Sequence, residues 1–172
     1  LQDQYGEIVE LQAMNETFIK ERQEVFTDKK SLVTNDDVAV FNAKTEKGVL
    51  ISNVASRIGI KTFMEVYGSN GYAIYNAENP FAVTVALKNE DGVLKEPKII
   101  DVPEDLYLEG DNTPREGFLI NFYLQAKSFV EAIQENKPFE NTFERGYYIQ
   151  NLLDLIHESA ELKTTVFVEK ER

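Results

Sequence analysis

The sequence predicts an α+β fold, in which a largely antiparallel open sheet carries two helices packed on one face. Residues 37–77 show strand-like alternation interrupted by two tight turns, whereas two segments after residue 113 carry apolar residues at helical spacing. A length of 172 residues with 42% hydrophobic residues suffices for one core. We therefore expect a single α+β domain over residues 1–172.

Three hairpins are predicted in the first 102 residues. Residues 38–43 alternate two faces, a turn follows at 45–48, and residues 49–56 are rich in β-branched side chains. The tetrapeptide 68–71, Gly-Ser-Asn-Gly, predicts a second reversal between residues 62–67 and 72–77. Asp91-Gly92 predicts a third between 81–87 and 93–102. Pro97 cannot donate to a ladder, so the last strand is expected at an edge or broken in two.

The first helix is predicted to begin where a threonine cap (Thr113), a proline (Pro114) and a glutamate (Glu116) coincide, and to end near Asn136. Its apolar stripe is Leu119, Phe122, Ala126, Phe129, Val130 and Ile133. The residues before it, 103–112, are acidic and aperiodic and predict a loop.

A second helix is predicted with Asn141 as its cap and Glu144 three residues on. Its stripe is Ile149, Leu152, Leu153, Ile156 and Ala160. Both stripes are expected to be buried against the sheet. Residues 162–168 predict a short terminal strand, and residues 169–172 a frayed end.

Composition excludes several classes of function. A formal charge of −12 disfavours nucleic acid, whose phosphates need clustered Lys and Arg. The Gly68-x-x-Gly71 element matches the loop of an RNA-binding KH domain, but that loop is basic and joins helices, so the hairpin interpretation is preferred. No apolar run approaches the ~18 residues that span a bilayer. Zero cysteines exclude disulfides and thiolate chemistry and favour a cytoplasmic location.

No group in the sequence stands out as catalytic or metal-binding. His157 lies late in the second helix with Glu161 one turn on, yet a metal site needs a third ligand that the sequence does not name. Asp36-Asp37 and Glu104-Asp105 are adjacent pairs whose side chains point to opposite faces, which predicts solvated turn residues. Ser56 lacks a nucleophile-elbow motif and is interpreted as a strand serine.

Six segments in order carry a resemblance to a known family: residues 6–13, 15–22, 36–57, 65–71, 129–138 and 152–160. Among them are the strand-Gly-x-x-Gly-strand element at 68–71 and the segment LLDLIHESA at 152–160, which is similar to the helix before the last strand of that family. In this order the chain resembles the C-terminal domain of the glucose-fructose oxidoreductase / inositol dehydrogenase / MocA (Gfo/Idh/MocA) family of NAD(P)-dependent sugar oxidoreductases.

The resemblance implies a domain without its own redox chemistry. Family enzymes hold the dinucleotide in an N-terminal domain with a Gly-rich turn, and no G-x-G-x-x-G occurs here. The family's Glu-Lys-Pro lysine and Asp-x-Gly-x-x-x-His pattern also have no counterpart. Lys95-Glu96-Pro97 and Asn136-Lys137-Pro138 are echoes in another context. We therefore expect no catalytic residue and no cofactor bound by this chain, and NAD or NADP in a complete enzyme.

The implied partners are a sugar or polyol, the N-terminal dinucleotide-binding domain, and the chain itself, as a homodimer or a dimer of dimers through the sheet face. Arg22 and Arg57 are the predicted substrate-binding residues, since an arginine fork suits hydroxyl and carboxylate groups. The alternative for each is a surface ion pair. Asn53 is left without an assigned side. A freestanding binding or scaffolding module without nicotinamide chemistry is the alternative function, and the coding sequence upstream of Leu1 discriminates between the two.

Overall fold

The computed structural model describes residues 5–59, 61–103 and 114–169. The chain forms two compact units: the first takes residues up to 60 and from 140 onward, and the second takes residues 61–139. Each described unit contains one long helix and one four-stranded antiparallel sheet. The α+β class is confirmed, and the described residues form two four-stranded sheets and one two-stranded sheet where one sheet was expected.

The strands, in chain order, are β1 (Ile8–Glu16), β2 (Glu21–Gln23), β3 (Lys30–Leu32), β4 (Val38–Thr45), β5 (Leu50–Ser56), β6 (Phe63–Gly68), β7 (Gly71–Asn76), β8 (Ala82–Leu87), β9 (Lys98–Asp101) and β10 (Val166–Phe167). The helices are α1 (Pro114–Gln134) and α2 (Phe143–Leu162). The first sheet has the order β10-β1-β4-β5 and the second β6-β7-β8-β9, while β2 and β3 pair only with each other.

The first sheet is built on one long hairpin. β1 and β4 pair in antiparallel register, with Gln12 opposite Asn42 and Glu16 opposite Val38. Beyond Glu16 the two segments of this hairpin separate briefly and pair again as β2 and β3. They form a two-stranded ribbon that was not predicted from the sequence. The predicted hairpin of β4 and β5 is confirmed, and its turn closes with the Thr45 and Gly48 amides donating to Val49 and Thr45 carbonyls.

The core of the first unit lies between α2 and one face of this sheet. Its buried members are Leu11, Ala13, Ala43, Ile156 and Val166. The predicted alternation along β4 is confirmed, because Phe41 and Ala43 face this core. We call the opposite face, which carries Met14, Val40 and Val54, the outer face.

Ser159 joins three elements inside this core and was missed in the sequence. It is fully buried, and its Oγ accepts a hydrogen bond from the Ala13 amide (2.9 Å) and donates one to the Thr164 carbonyl (2.6 Å). A buried hydroxyl with both partners satisfied costs little and fixes α2 against β1 and the chain leading to β10.

The second helix agrees with its prediction except at two points. Thr142 rather than Asn141 is the cap: its side-chain oxygen accepts the Arg145 amide at 3.3 Å. Both residue types can cap, and the sequence alone does not choose between neighbours. In the predicted stripe Leu152, Ile156 and Ala160 pack on the core, whereas Ile149 and Leu153 are exposed.

The second unit confirms the predicted hairpin of β6 and β7, with Gly68 opposite Gly71, and β8 pairs with its predicted return strand as β9. β7 also pairs with β8. The return strand after Asp91-Gly92 is broken as Pro97 predicted: Leu94 makes one bridge to Lys88, and β9 starts after the proline at the sheet edge. The second unit thus follows the sequence closely along its strands.

The first predicted helix, α1, is confirmed from Pro114, and the chain leaves it at Asn136 with φ 52°. Its predicted stripe is not buried: Leu119, Phe122, Phe129, Val130 and Ile133 are exposed, and Ile120 is the buried residue. Helical spacing identifies an apolar face but not what covers it. The predicted Thr113 cap, the loop 104–112 with Glu104-Asp105, and residues 170–172 lie outside the described residues.

Gly71 is predicted to be the most sensitive glycine. It has φ +149°, and a Cβ there would lie 2.0 Å from the Ala86 carbonyl oxygen of β8. A side chain at this position would therefore strain the backbone and also clash with β8. Gly71→Ala should cost well over the ~1–2 kcal/mol of a positive-φ penalty alone. Gly48→Ala is the matched control, with φ +79° and nothing within 4 Å of its Cβ. Equal losses in chemical denaturation would contradict the steric account.

Candidate functional site

Asp37 is the polar centre of the first unit. It is 2% exposed and stands where the ribbon joins β4. Its amide donates to the Glu16 carbonyl (2.9 Å), and its carbonyl accepts the Arg57 amide (2.8 Å). The backbone of Asp37 therefore fastens the end of β1 and the chain leaving β5 to the start of β4.

The carboxylate of Asp37 binds the ribbon. Oδ2 accepts the Ile19 amide at 2.7 Å, and Oδ1 accepts Nη2 of Arg22 at 2.6 Å. The Ile19 hydrogen bond first, and the Arg22 guanidinium after it, hold the pKa of Asp37 below its usual value against the opposing effect of burial. A charged, buried carboxylate with both oxygens occupied makes this junction rigid.

The interpretation of Asp37 as a solvated turn residue was wrong. Asp37 can be buried because hydrogen bonds from the Ile19 amide and the Arg22 guanidinium replace its hydration. The prediction failed because these partners lie 18 and 15 residues away, where no local sequence pattern indicates them. The expectation that adjacent side chains diverge did hold: Asp36 points elsewhere, with its Oδ1 4.0 Å from Nε2 of His157.

The structure brings both predicted arginines to Asp37. Arg22 uses its guanidinium, and 45% of its side chain remains exposed. Arg57 uses its backbone amide, directly after β5, and its side chain is exposed. Asn53 lies opposite Phe41, which assigns it to the α2 side of the sheet. The substrate role of the two arginines stays a prediction.

His157 belongs to a small polar group beside this junction. Its Nδ1 lies 3.3 Å from Nδ2 of Asn15, and its side chain is 57% exposed. Among the described residues no three His, Cys, Asp or Glu side chains come together in a metal-binding arrangement. Ser56 ends β5, and its Oγ accepts the Ile58 amide.

Two clefts lie away from the arginine junction. One of about 540 Å³ is at the ribbon tip and is lined by Gln23, Glu24, Phe26, Thr27 and Asp28. Another of about 420 Å³ is lined by Gly6, Glu7, Glu46, Lys47, Glu144, Arg145 and Tyr148. In the second, the Tyr148 hydroxyl accepts the Ile8 amide at 2.8 Å, and burial raises the pKa of that hydroxyl. Both clefts are surface features of the first unit.

The described glycine turns do not fit a dinucleotide. Binding a pyrophosphate takes a Gly-rich turn from a strand into a helix N-terminus. The Gly68–Gly71 turn joins two strands instead, and the Gly71 position is closed by the Ala86 carbonyl. In the part of the chain that the structure describes, no helix is long and apolar enough to cross a membrane.

Solved structures show which proteins share this fold. An NAD binding oxidoreductase from Klebsiella pneumoniae superposes with a TM-score of 0.81 at 20% identity, over 99% of this chain and 48% of its own. Levoglucosan dehydrogenase in complex with NADH and L-sorbose gives 0.79 at 22% identity, over 96% and 46%. The chain has the fold of part of an NAD-binding oxidoreductase. The family resemblance expected from the sequence is thus confirmed at the level of the fold.

The chain spans about half the length of these oxidoreductases. The transcriptional regulator Gal80p from Kluyveromyces lactis shares the fold more distantly, with a TM-score of 0.65 at 14% identity over 94% of this chain and 40% of its own. No profile of a known protein family matches the chain, and no curated protein sequence does.

Asp37 is predicted to make folding stability depend on acid pH. Its folded-state pKa lies below the unfolded value of about 3.9, so its contribution is complete above about pH 5 and is lost as pH falls through the folded pKa. Asp37→Asn should lower the melting temperature by several degrees at pH 7 and by progressively less toward pH 3. The exposed turn variant Asp91→Asn is the control. Parallel pH profiles for Asp37→Asn and the native chain would refute the assignment.

Proposed function

We propose that this chain is the C-terminal substrate-side and oligomerisation domain of an NAD(P)-dependent sugar or polyol oxidoreductase of the Gfo/Idh/MocA family. One observation carries the proposal: nearly all of this chain superposes on less than half the length of levoglucosan dehydrogenase, an enzyme solved in complex with NADH and L-sorbose or levoglucosan. We expect a dinucleotide-binding domain in the remaining half of these enzymes, which this chain does not match. We place the enzyme in the cytoplasm, in keeping with the lack of cysteine in this chain.

The cofactor, NAD or NADP, is proposed to bind outside this chain. The described turns offer no phosphate cradle, and the sequence has no G-x-G-x-x-G. Alone, the chain is proposed to be inactive. Its contribution to the reaction is to bind and orient the sugar.

Arg57 and Arg22 are the proposed substrate contacts. Asp37 holds both near the end of the sheet, and both side chains stay accessible. A guanidinium there donates hydrogen bonds to sugar hydroxyls or to a sugar carboxylate. Asp37 already neutralises Arg22, so Arg57 is the stronger candidate for an anionic substrate group.

Self-association is proposed through the outer face of the first sheet. Met14, Val40 and Val54 are direct cross-strand neighbours there, and Met14 and Val54 are 71% and 65% exposed. An exposed apolar row on a sheet marks an interaction site, and most homo-oligomers are closed and two-fold. A homodimer, or a dimer of dimers, is expected.

The chain by itself is predicted not to bind nicotinamide cofactor, because it lacks the phosphate-binding turn. Titrating NADH fluorescence with the isolated chain should give no saturable change up to about millimolar cofactor. A midpoint in the micromolar range would show that the chain carries a cofactor site of its own.

Arg57→Met is predicted to impair the complete enzyme without destabilising it. Methionine keeps much of the apolar stem and removes the charged fork, so KM for the sugar should rise about tenfold or more. Lys61→Met is the control, because Lys61 is also an exposed cation but pairs with Glu78 in the second unit. The measurements are steady-state kinetics of both variants with sugars, polyols and sugar acids, and thermal melting curves that check their stability. Unchanged kinetics for Arg57→Met would leave it a surface residue.

A second candidate is a binding or scaffolding module that never meets a nicotinamide, favoured by the likeness to Gal80p, a transcriptional regulator. The coding sequence upstream of Leu1 separates the two. A strand followed by G-x-G-x-x-G, then Glu-Lys-Pro and Asp-x-Gly-x-x-x-His, supports the oxidoreductase. An upstream sequence without the Glu-Lys-Pro and Asp-x-Gly-x-x-x-His groups supports the module.

A further inference from the structure

The β2–β3 ribbon ends in an exposed apolar tip. Phe26 is 102% exposed and Val25 76%, so neither side chain is covered by the rest of the chain as described. Charged and polar residues dominate the ribbon on both sides of this dipeptide. A fully exposed aromatic at the end of a projecting ribbon is the kind of residue that anchors protein interfaces.

The backbone at the tip is held in an unfavourable conformation. Phe26 has φ 65°, a left-handed value that bulky residues rarely adopt. Glycine or asparagine would serve a simple reversal better. The turn is nevertheless well tied: the Thr27 amide donates to the Glu24 carbonyl, the Glu24 carboxylate accepts the Thr27 and Ser31 hydroxyls, and Gln23 Nε2 donates to the Thr27 carbonyl. The tip therefore presents Phe26 in one preset geometry.

The ribbon is anchored rigidly at its base. The Asp37 carboxylate binds Ile19 and Arg22 there, and the Lys20 carbonyl accepts the Val33 amide at 2.8 Å. β2 and β3 have three residues each, so the strands of the ribbon span roughly 7 Å at about 3.3 Å per residue, and the turn that carries Phe26 lies just beyond them. An arm of this reach with a fixed base carries its tip to a neighbouring molecule without a large ordering cost.

The charge of the ribbon identifies the partner. Residues 20–30 contain four basic and three acidic residues, whereas the whole chain carries −12. Lys29 and Lys30 are exposed directly beside the tip. The arm thus has a small net positive charge in an acidic molecule, and a second copy of this chain is an acidic partner. Its outer face also offers an apolar row in which Met14 and Val54 are exposed and Val40 is half-buried. Glu16, which pairs with Lys20 at 3.0 Å, lies next to this row.

We propose that the β2–β3 ribbon is an intersubunit arm, whose tip residues Val25 and Phe26 dock on the outer face of a second copy of this chain. The inference rests on the self-association put forward above and adds the element that makes the contact. In a two-fold dimer each copy gives one arm and receives one, so the contact is made twice.

Two variants, each of which replaces one exposed apolar residue, test the arm. Phe26→Gly removes the ring and relieves the left-handed strain, so the monomer should keep or gain thermal stability while the dimer dissociation constant rises about tenfold. Val93→Ser is the control, since Val93 is 61% exposed in a hairpin of the second unit. Sedimentation equilibrium from about 1 to 100 µM gives both dissociation constants. An unchanged constant for Phe26→Gly, or an equal rise for Val93→Ser, overturns the proposal.

Crosslinking identifies the receiving surface. The chain has no cysteine, so Asp28→Cys gives a single attachment point for a photo-crosslinker at the tip. With a mixture of ¹⁵N-labelled and unlabelled chains, we expect mixed-isotope crosslinks to peptides containing Met14, Val40 or Val54. A dimer without such crosslinks overturns the arm and leaves self-association standing. A chain that stays monomeric throughout overturns both.

Discussion

Asp37, at the start of β4, ties together places that are distant in the sequence. Its buried carboxylate binds the ribbon, and its backbone amide and carbonyl bind the end of β1 and the chain after β5. A charge this deeply buried is stable only while its partners stay in place. Removing Arg22 would leave the carboxylate without its cation, and removing Asp37 would leave the Ile19 amide and the Arg22 guanidinium without an acceptor. The ribbon, the two arginines and the end of the sheet are therefore joined by hydrogen bonds at a single residue.

This junction connects the two proposed activities of the chain. Arg57, the stronger substrate candidate, leaves β5 through a hydrogen bond to the Asp37 carbonyl, while the arm begins at the hydrogen bonds of the Asp37 carboxylate. The base of the arm and Arg57 are therefore both hydrogen-bonded to Asp37, the first to its carboxylate and the second to its backbone carbonyl. In the proposed oxidoreductase, assembly of subunits and positioning of the sugar share this one residue.

Local patterns predicted most of the regular structure. The alternation of β4, the turns at 45–48 and 68–71, the break at Pro97 and both helices follow from steric and hydrogen-bonding rules that act over a few residues. The ribbon was missed because residues 17–33 mix charges with few apolar side chains and give no clear alternation. Its pairing comes from continuing the β1–β4 hairpin, a long-range cause.

The failures at the site have the same origin. Asp37 and Ser159 are polar residues whose burial depends on partners in other elements, so neither shows a local signal. Thr142 and Asn141 are both residue types that cap helices, so their types alone do not identify Thr142 as the cap. The α1 stripe was found, but helical spacing does not say whether the covering surface belongs to the same molecule.

Amide hydrogen exchange at Ile19 tests the central role of Asp37 most directly. Among the described residues the Ile19 amide donates to the Asp37 carboxylate alone, so its protection reports that interaction and not a strand ladder. We predict protection comparable to that of the Arg57 amide in the native chain. In Asp37→Ala we predict loss of protection at the Ile19 amide, while the Arg57 amide, which donates to the backbone carbonyl at position 37, and the β6–β8 amides keep theirs. An Ile19 amide that exchanges as fast in the native chain as in the variant would contradict the account.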